Sequence, residues 1–254
     1  MTRLSRLILW LILLAPATLG LARADEVVIL SATAMRSTFS QAEDTFKAAA
    51  GGNPVRFVYG TAGETAARVK SGTPFDLAVL PPKPLADLAA AGFIRAETQR
   101  PVGSVAMGLA IRAGDAKPAI GNLDEFKATL RNAKSIGFAD PASGATTGVY
   151  FADMLKKIGL FDEVQSRLKL YPDGTTAMEA LARGELSIAA GQYSEAVPVK
   201  GIEIIGPLPK PVDFTTVYAA GLAAGGTPKY GLLDALRSPE MKAALAANGF
   251  AAAE

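Results

Sequence analysis

The chain has 254 residues, half of them hydrophobic and 20% charged, with a formal charge of +2 and neither cysteine nor histidine. That length suits one large domain or two small ones. The two missing residue types exclude disulfides, zinc sites of the Cys/His kind, and Ser-His-Asp or Cys-His catalysis, so any chemistry falls to carboxylates, hydroxyls, Tyr, Lys or Arg.

Residues 1–24 are expected to be a cleaved secretory signal peptide. Arg3 and Arg6 make a short positive start, residues 7–15 are almost wholly apolar, and Ala22-Arg23-Ala24 has the small-x-small form of a cleavage site. The apolar run is too short to cross about 30 Å of hydrocarbon, and Pro16 and Gly20 interrupt it. Cleavage takes three arginines from the 26 basic residues and none of the 24 acidic ones, so the formal charge moves from +2 to −1. The expected location is the periplasm, and no nucleic-acid footprint remains.

Beyond the leader, strand-like runs alternate with helical spacing. Residues 26–30 read as a strand. Residues 37–50 read as a helix through Phe39, Ala42 and Phe46, stopped by Gly51-Gly52. A strand at 55–59, a helix at 62–70, a strand at 77–80 and a helix at 84–91 follow. This βαβαβα order predicts a parallel sheet covered by helices. Residues 102–112 form a long extended segment. Alternation then resumes with a helix at 123–131, a strand at 135–139, a helix at 144–158, a strand at 167–171, a helix at 175–183 and strands at 186–190 and 203–205. A second long extended segment, 212–222, precedes helices near 230–236 and 239–248. Two α/β units around two long segments predict two lobes, with the chain leaving lobe one near residue 104 and returning near 216. The cleft between them is the default ligand site, and the two crossovers form a hinge.

Four loops follow strand ends and open helices: Ser31-Ala32-Thr33, Gly60-Thr61-Ala62-Gly63, the stretch Ser143-Gly144-Ala145-Thr146-Thr147-Gly148, and Gly174-Thr175-Thr176. Ligands of open α/β sheets bind beyond the carboxyl ends of the strands. The first turn of a helix offers unpaired N–H groups and a positive dipole end, to which Ser and Thr add hydroxyl donors. Four such starts facing one cleft would cage an anion without a formal charge. Each loop alone also reads as ordinary capping. Gly144 to Gly148 lacks the Lys-Ser/Thr pair of a phosphate loop. Arg36 could pair with a ligand carboxylate or stand solvated. Glu64 reads as a cap, Asp140 as the organiser of its turn, and Tyr150 and Phe151 as core. Gln192 and Tyr193 follow a strand and could face the cleft.

These residues also carry a family likeness. "VVILSATAM", "YGTAGETAARVKSGTPFDLAVLPPKPLADLAAAG", "IGFADPASGATTGVYFADMLKKIGL" and "GQYSEAVPVKGIEIIGPLP" make nearly the whole mature chain resemble the periplasmic molybdate-binding proteins, type II solute-binding proteins of ABC transporters. The resemblance implies an α/β, two-lobed periplasmic binding protein type II fold. Each lobe would be a mixed, mostly parallel sheet flanked by helices. Lobe one would hold residues 25–104 plus 217–254 and lobe two residues 105–216, joined by two crossover segments. It implies a monomer without cofactor or metal, a small anionic ligand, and a transporter permease as partner. A family ligand serine matches Thr33, a second matches Ala62 beside Thr61, and the family tyrosine matches Gln192. The expected ligand set is Thr33, Arg36, Thr61, Ala62, Ser143, Thr146, Thr147, Thr175 and Gln192. Its extra hydroxyls, amide and Arg36 suit a larger anion such as a small polycarboxylate, and poor molybdate binding is expected. Periplasmic aconitate isomerase resembles the same branch. An isomerase shifting an allylic proton is therefore the alternative, its base unidentified, and a sensor subunit is a third reading.

Overall fold

The computed structural model describes residues 26–253, so the expected signal peptide lies outside the described residues. Ten strands form a mixed sheet: β1 Val27–Ala32, β2 Val55–Gly60, β3 Leu77–Leu80, β4 Arg100–Arg112, β5 Ile136–Ala139, β6 Leu168–Tyr171, β7 Ile188–Gln192, β8 Ile202–Pro207, β9 Thr215–Leu222 and β10 Phe250–Ala252. Their order is β2-β1-β3-β9-β4-β7-β5-β6, with β8 and β10 also paired to β4. The parallel ladders lie at the two flanks, β2-β1-β3 and β7-β5-β6. The centre is antiparallel, where β9 pairs with both β3 and β4. Helices cover the parallel flanks because a parallel connection must cross over one face.

The 13-residue strand β4 serves both flanks. Arg100 to Ala106 pair with β9, whereas Met107 to Ala110 pair with β7. The apolar cores divide at the same place. Two clusters contain residues up to Val105 and from Tyr218 onward, among them Phe39, Phe46, Leu77 and Leu245 in one and Leu30, Leu80 and Leu88 in the other. Two more contain only residues between Met107 and Val212 and the neighbours packed on them, among them Phe126, Phe138, Phe151 and Leu181.

The strands follow the alternation and apolar runs of the sequence closely, but the first expected helix is split. It runs as Arg36–Gln41 and Glu43–Ala49, with Ala42 between them at φ −102° and ψ 14°. Phe39 and Phe46 then meet edge to face with ring centroids 5.1 Å apart. In an unbroken helix seven residues advance about 10 Å along the axis, so the break gathers both rings into one aromatic cluster with Phe57. Helices Phe161–Val164 and Tyr193–Ala196 and strand β10 were not legible as elements; each is three or four residues long. Segments that short carry no readable period.

Candidate functional site

A small cavity lies where helix starts from the two halves of the chain converge. Ala32, Thr33 and Ala34 line it from the end of β1, Thr61 and Ala62 from the end of β2, and Ala145, Thr146 and Thr147 from the loop after β5. Asp173, Gly174, Gln192, Glu195 and Tyr218 complete the wall. Its volume is about 20 Å³, room for about one water-sized group. The expectation of a larger anion thus meets a tightly closed arrangement, and a polycarboxylate would hold the walls further apart.

The closure has identifiable contacts. The Thr61 hydroxyl donates to the Ser143 carbonyl, and the Gly63 N–H donates to the Gly144 carbonyl at 3.1 Å. Both bonds run from the flank of β2 to the flank of β5. A Cβ on Gly63 would lie 2.8 Å from Gly144 Cα, and one on Gly144 2.7 Å from Gly63 Cα. The two backbones therefore approach this closely because neither residue has a side chain.

The four helix starts are not equivalent. The turn Thr33–Met35 and the helix Thr146–Lys157 have no side-chain cap on their first N–H groups. The helix Ala62–Lys70 is closed by its own capping box, with Glu64 N–H donating to Thr61 Oγ1 at 3.1 Å and Thr61 N–H donating to Glu64 Oε2 at 2.9 Å. The helix Gly174–Ala182 is capped by Asp173, which accepts from Thr176 N–H at 2.8 Å. The first two starts therefore present their first N–H groups without competition from a side-chain cap, whereas at the other two a cap already occupies part of the set. Hydroxyl donors divide in the same way. Thr61 already spends its proton on Ser143, whereas the hydroxyls of Thr33, Thr146 and Thr147 make no hydrogen bond among the described residues.

The expected ligand set is only partly gathered. Thr33, Thr61, Ala62, Thr146, Thr147 and Gln192 line the cavity. Arg36 stands exposed outside it, its guanidinium 4.5 Å above the Tyr59 ring. Ser143 turns its hydroxyl back to the Asp140 carbonyl at 2.8 Å and offers only its own carbonyl to Thr61. Thr175 is outside the lining, one residue into the helix that Asp173 caps. The Asp140 carboxylate accepts from Ala142 N–H at 2.9 Å, which orders the turn before the helix. Phe151 is fully buried, and Tyr150 stacks on Phe214 at 3.9 Å while donating to the Val212 carbonyl.

Three polar lining residues were missed by reasoning from sequence: Asp173, Glu195 and Tyr218. Gln192 Nε2 donates to the Tyr218 hydroxyl at 3.0 Å, which fixes the amide across the cavity floor. Glu195 is 6% exposed and receives Gln192 N–H at 3.0 Å. Its carboxylate rests on the first residue of the helix Gly174–Ala182, where a Cβ on Gly174 would overlap it. Burial pushes the Glu195 carboxyl up to about 7 and the nearby Asp173 charge adds to the rise, against the hydrogen bonds from Gln192 and Gly174 N–H. Burial raises the Tyr218 phenol as well, Glu195 adding to it and the Gln192 bond opposing. Among the described residues, no Lys or Arg lines the cavity. A usable signal for Glu195 existed: Gln192 and Glu195 have the three-residue spacing of a capping box, and the structure forms one there.

Comparison with known proteins agrees with this architecture. An aconitate isomerase from Pseudomonas sp is 29% identical over 158 residues, 62% of this chain and 58% of that protein, so less than two thirds of the isomerase is matched. The molybdate-binding protein ModA of Rhodobacter capsulatus is 24% identical over 74% of each chain. Among solved structures, the periplasmic molybdate-binding protein of Azotobacter vinelandii superposes with a TM-score of 0.73 at 18% identity, covering 90% of this chain and 100% of that one. The sulfate-binding protein SubI of Mycobacterium tuberculosis gives 0.74 at 19% identity, covering 90% and 87%. The family model for bacterial extracellular solute-binding proteins matches residues 27–251, and the chain belongs to that family.

Proposed function

We propose that this protein is exported to the periplasm by a cleaved signal peptide, captures a small anion between two lobes as a monomer, and delivers it to the permease of an ABC transporter. The observation that carries the reading is the cavity itself. It is walled by free hydroxyls at Thr33, Thr146 and Thr147 and by two helix starts without side-chain caps, and it is closed by backbone contact at Gly63 and Gly144. Such donors are preorganised for a compact anion and need no cation. The lobes of this reading divide near residues 104 and 216, and the separation of the apolar cores supports that division. The molybdate- and sulfate-binding relatives support the anion class. Isothermal calorimetry of the mature protein with sulfate, molybdate and trans-aconitate tests the reading: tight one-to-one binding of one of them is expected, and heat from none of them overturns it.

A second reading has a specific observation in its favour. The isomerase relative acts on an unsaturated acid, and Glu195 places a buried carboxylate in the cavity wall. A carboxyl near 7 is suited to take a proton from the methylene carbon beside a carbon–carbon double bond. The electron pair then moves along the allylic system, and the proton returns at its far end. A proton NMR time course with trans-aconitate separates the two readings: conversion to the cis isomer makes the protein an enzyme, and an unchanged bound acid makes it a carrier.

A further inference from the structure

Resting on the anion-capture reading, we propose that Glu195 couples capture to a proton, so that the closed complex holds one proton shared between the Glu195 carboxyl and the bound anion. The geometry leads there directly. Glu195 lies in the cavity wall, is buried, and has Asp173 rather than a cation as its neighbour. An ionised carboxylate facing an anion between these closely set walls would repel it with little water to screen the charge. A protonated carboxyl instead donates a hydrogen bond, in keeping with the hydroxyls around it. The carboxyl accepts from the Gln192 and Gly174 N–H groups, Gln192 bonding Oε2, and a proton on Oε1 would complete the contact with the anion. Gly174 supplies the space that keeps the carboxyl group at the wall.

The other charged groups on elements around the short helix Tyr193–Ala196 leave this assignment intact. Asp173, at the head of the helix Gly174–Ala182, favours the protonated form, and Tyr218 on β9 stays neutral through burial. Glu179 on that same helix is exposed. Arg36 stacks on Tyr59. Arg100, at one end of β4, donates to the Glu97 and Gln99 carbonyls, and Arg112, at the other, pairs with Asp115. Glu203 on β8 pairs with Lys117. β7 contributes no ionisable side chain. With burial holding the free carboxyl near 7, an arriving anion raises it further and draws a proton from solvent.

The test is calorimetry of the mature protein with sulfate, molybdate and trans-aconitate, each free of protons at about pH 8, in two buffers of different ionisation heat. For the anion that binds, uptake of about one proton is expected at about pH 8 and almost none at about pH 5.5, with affinity falling about tenfold per pH unit above 7. Glu195→Gln should abolish both the uptake and the pH dependence. Should that variant fail to fold, the carboxyl ¹³C shift of Glu195 in the wild type serves instead: its titration midpoint should move up when the anion is added. Binding without proton uptake, or with a stationary midpoint, overturns the coupling and leaves anion capture standing. Absence of binding by all three anions overturns the capture reading, and the coupling with it.

Discussion

The Glu195 carboxylate occupies the volume that a side chain at Gly174 would need. The backbone at Gly174 is not in the left-handed region, and the three atoms nearest a Cβ there all belong to the Glu195 carboxylate. Gly174→Ala should cost about 1–3 kcal/mol of stability in the wild type, as overpacking does. In a Glu195→Ala background the cost should vanish, because the space is then free and alanine suits a helix better than glycine. Urea unfolding of the four proteins in the cycle measures the coupling. Additive effects would show that the two residues do not compete for space.

Glu195 also sets a pH dependence of stability. Its folded value of about 7 lies above the 4.5 of an ordinary glutamate. Below the lower value both folded and unfolded chains hold the proton, and there is no penalty. Between the two values the unfolded chain releases it while the folded chain keeps it, so stability falls as pH rises, by about 3 kcal/mol in all before levelling off above 7. Glu195→Gln should lack this contribution. The stability of the variant relative to wild type should therefore climb through that window, as followed by denaturant unfolding at a series of pH values; a constant difference would contradict the assignment.

Free hydroxyls and occupied ones should behave differently under substitution. Thr33→Ala and Thr147→Ala each remove a donor facing the cavity and should weaken anion binding by about 1–3 kcal/mol. Thr175→Ala and Arg36→Ala alter residues outside the lining and should change affinity by less than about twofold. Calorimetry on the four variants decides the matter, and a large loss at Arg36 or Thr175 would return those residues to the site.

Closure can be tested apart from ligand contact. A methyl group at Gly63 meets the Gly144 backbone only when the two walls are together. Gly63→Ala should lower affinity by about tenfold or more. Small-angle scattering in saturating anion should show a more open particle than wild type. Unaltered affinity would mean that the Gly63–Gly144 contact is not needed for capture.

The architecture was legible because alternation and glycine stops mark the strands and helices of both flanks. The same pattern gave Thr33, Thr146 and Thr147, since a small hydroxyl residue at the head of a helix is a local signal. Charge alone carries no direction: Arg36 stands exposed outside the cavity lining, its guanidinium over the Tyr59 ring. Tyr218 was hidden in a long extended run. There, every second residue from Thr216 through Tyr218 to Ala220 turns inward, but sequence does not say which face borders the cavity. Glu195 sits on a four-residue helix too short for any period, and its neighbours Asp173 and Gly174 are 21 or more positions earlier in the chain. The pairing of β7 with β4 and β5, which sequence does not give, places the end of β7 from which that short helix starts.

In β4, Ala106 is the last residue paired with β9 and Met107 the first paired with β7, opposite Gln192. The Met107 N–H donates to the Phe214 carbonyl at 2.8 Å, and its own carbonyl accepts from Leu208 N–H at 3.1 Å. The joint is thus a continuous, hydrogen-bonded strand, and if the proposed lobes part, this strand would have to twist like a torsion bar. Elastic energy would be stored within one residue of the partner of Gln192. The strand opposite Gln192 and the strand on which the proposed lobes would turn are then one piece of backbone, so in the proposed reading loosening the grip and parting the lobes would be a single movement.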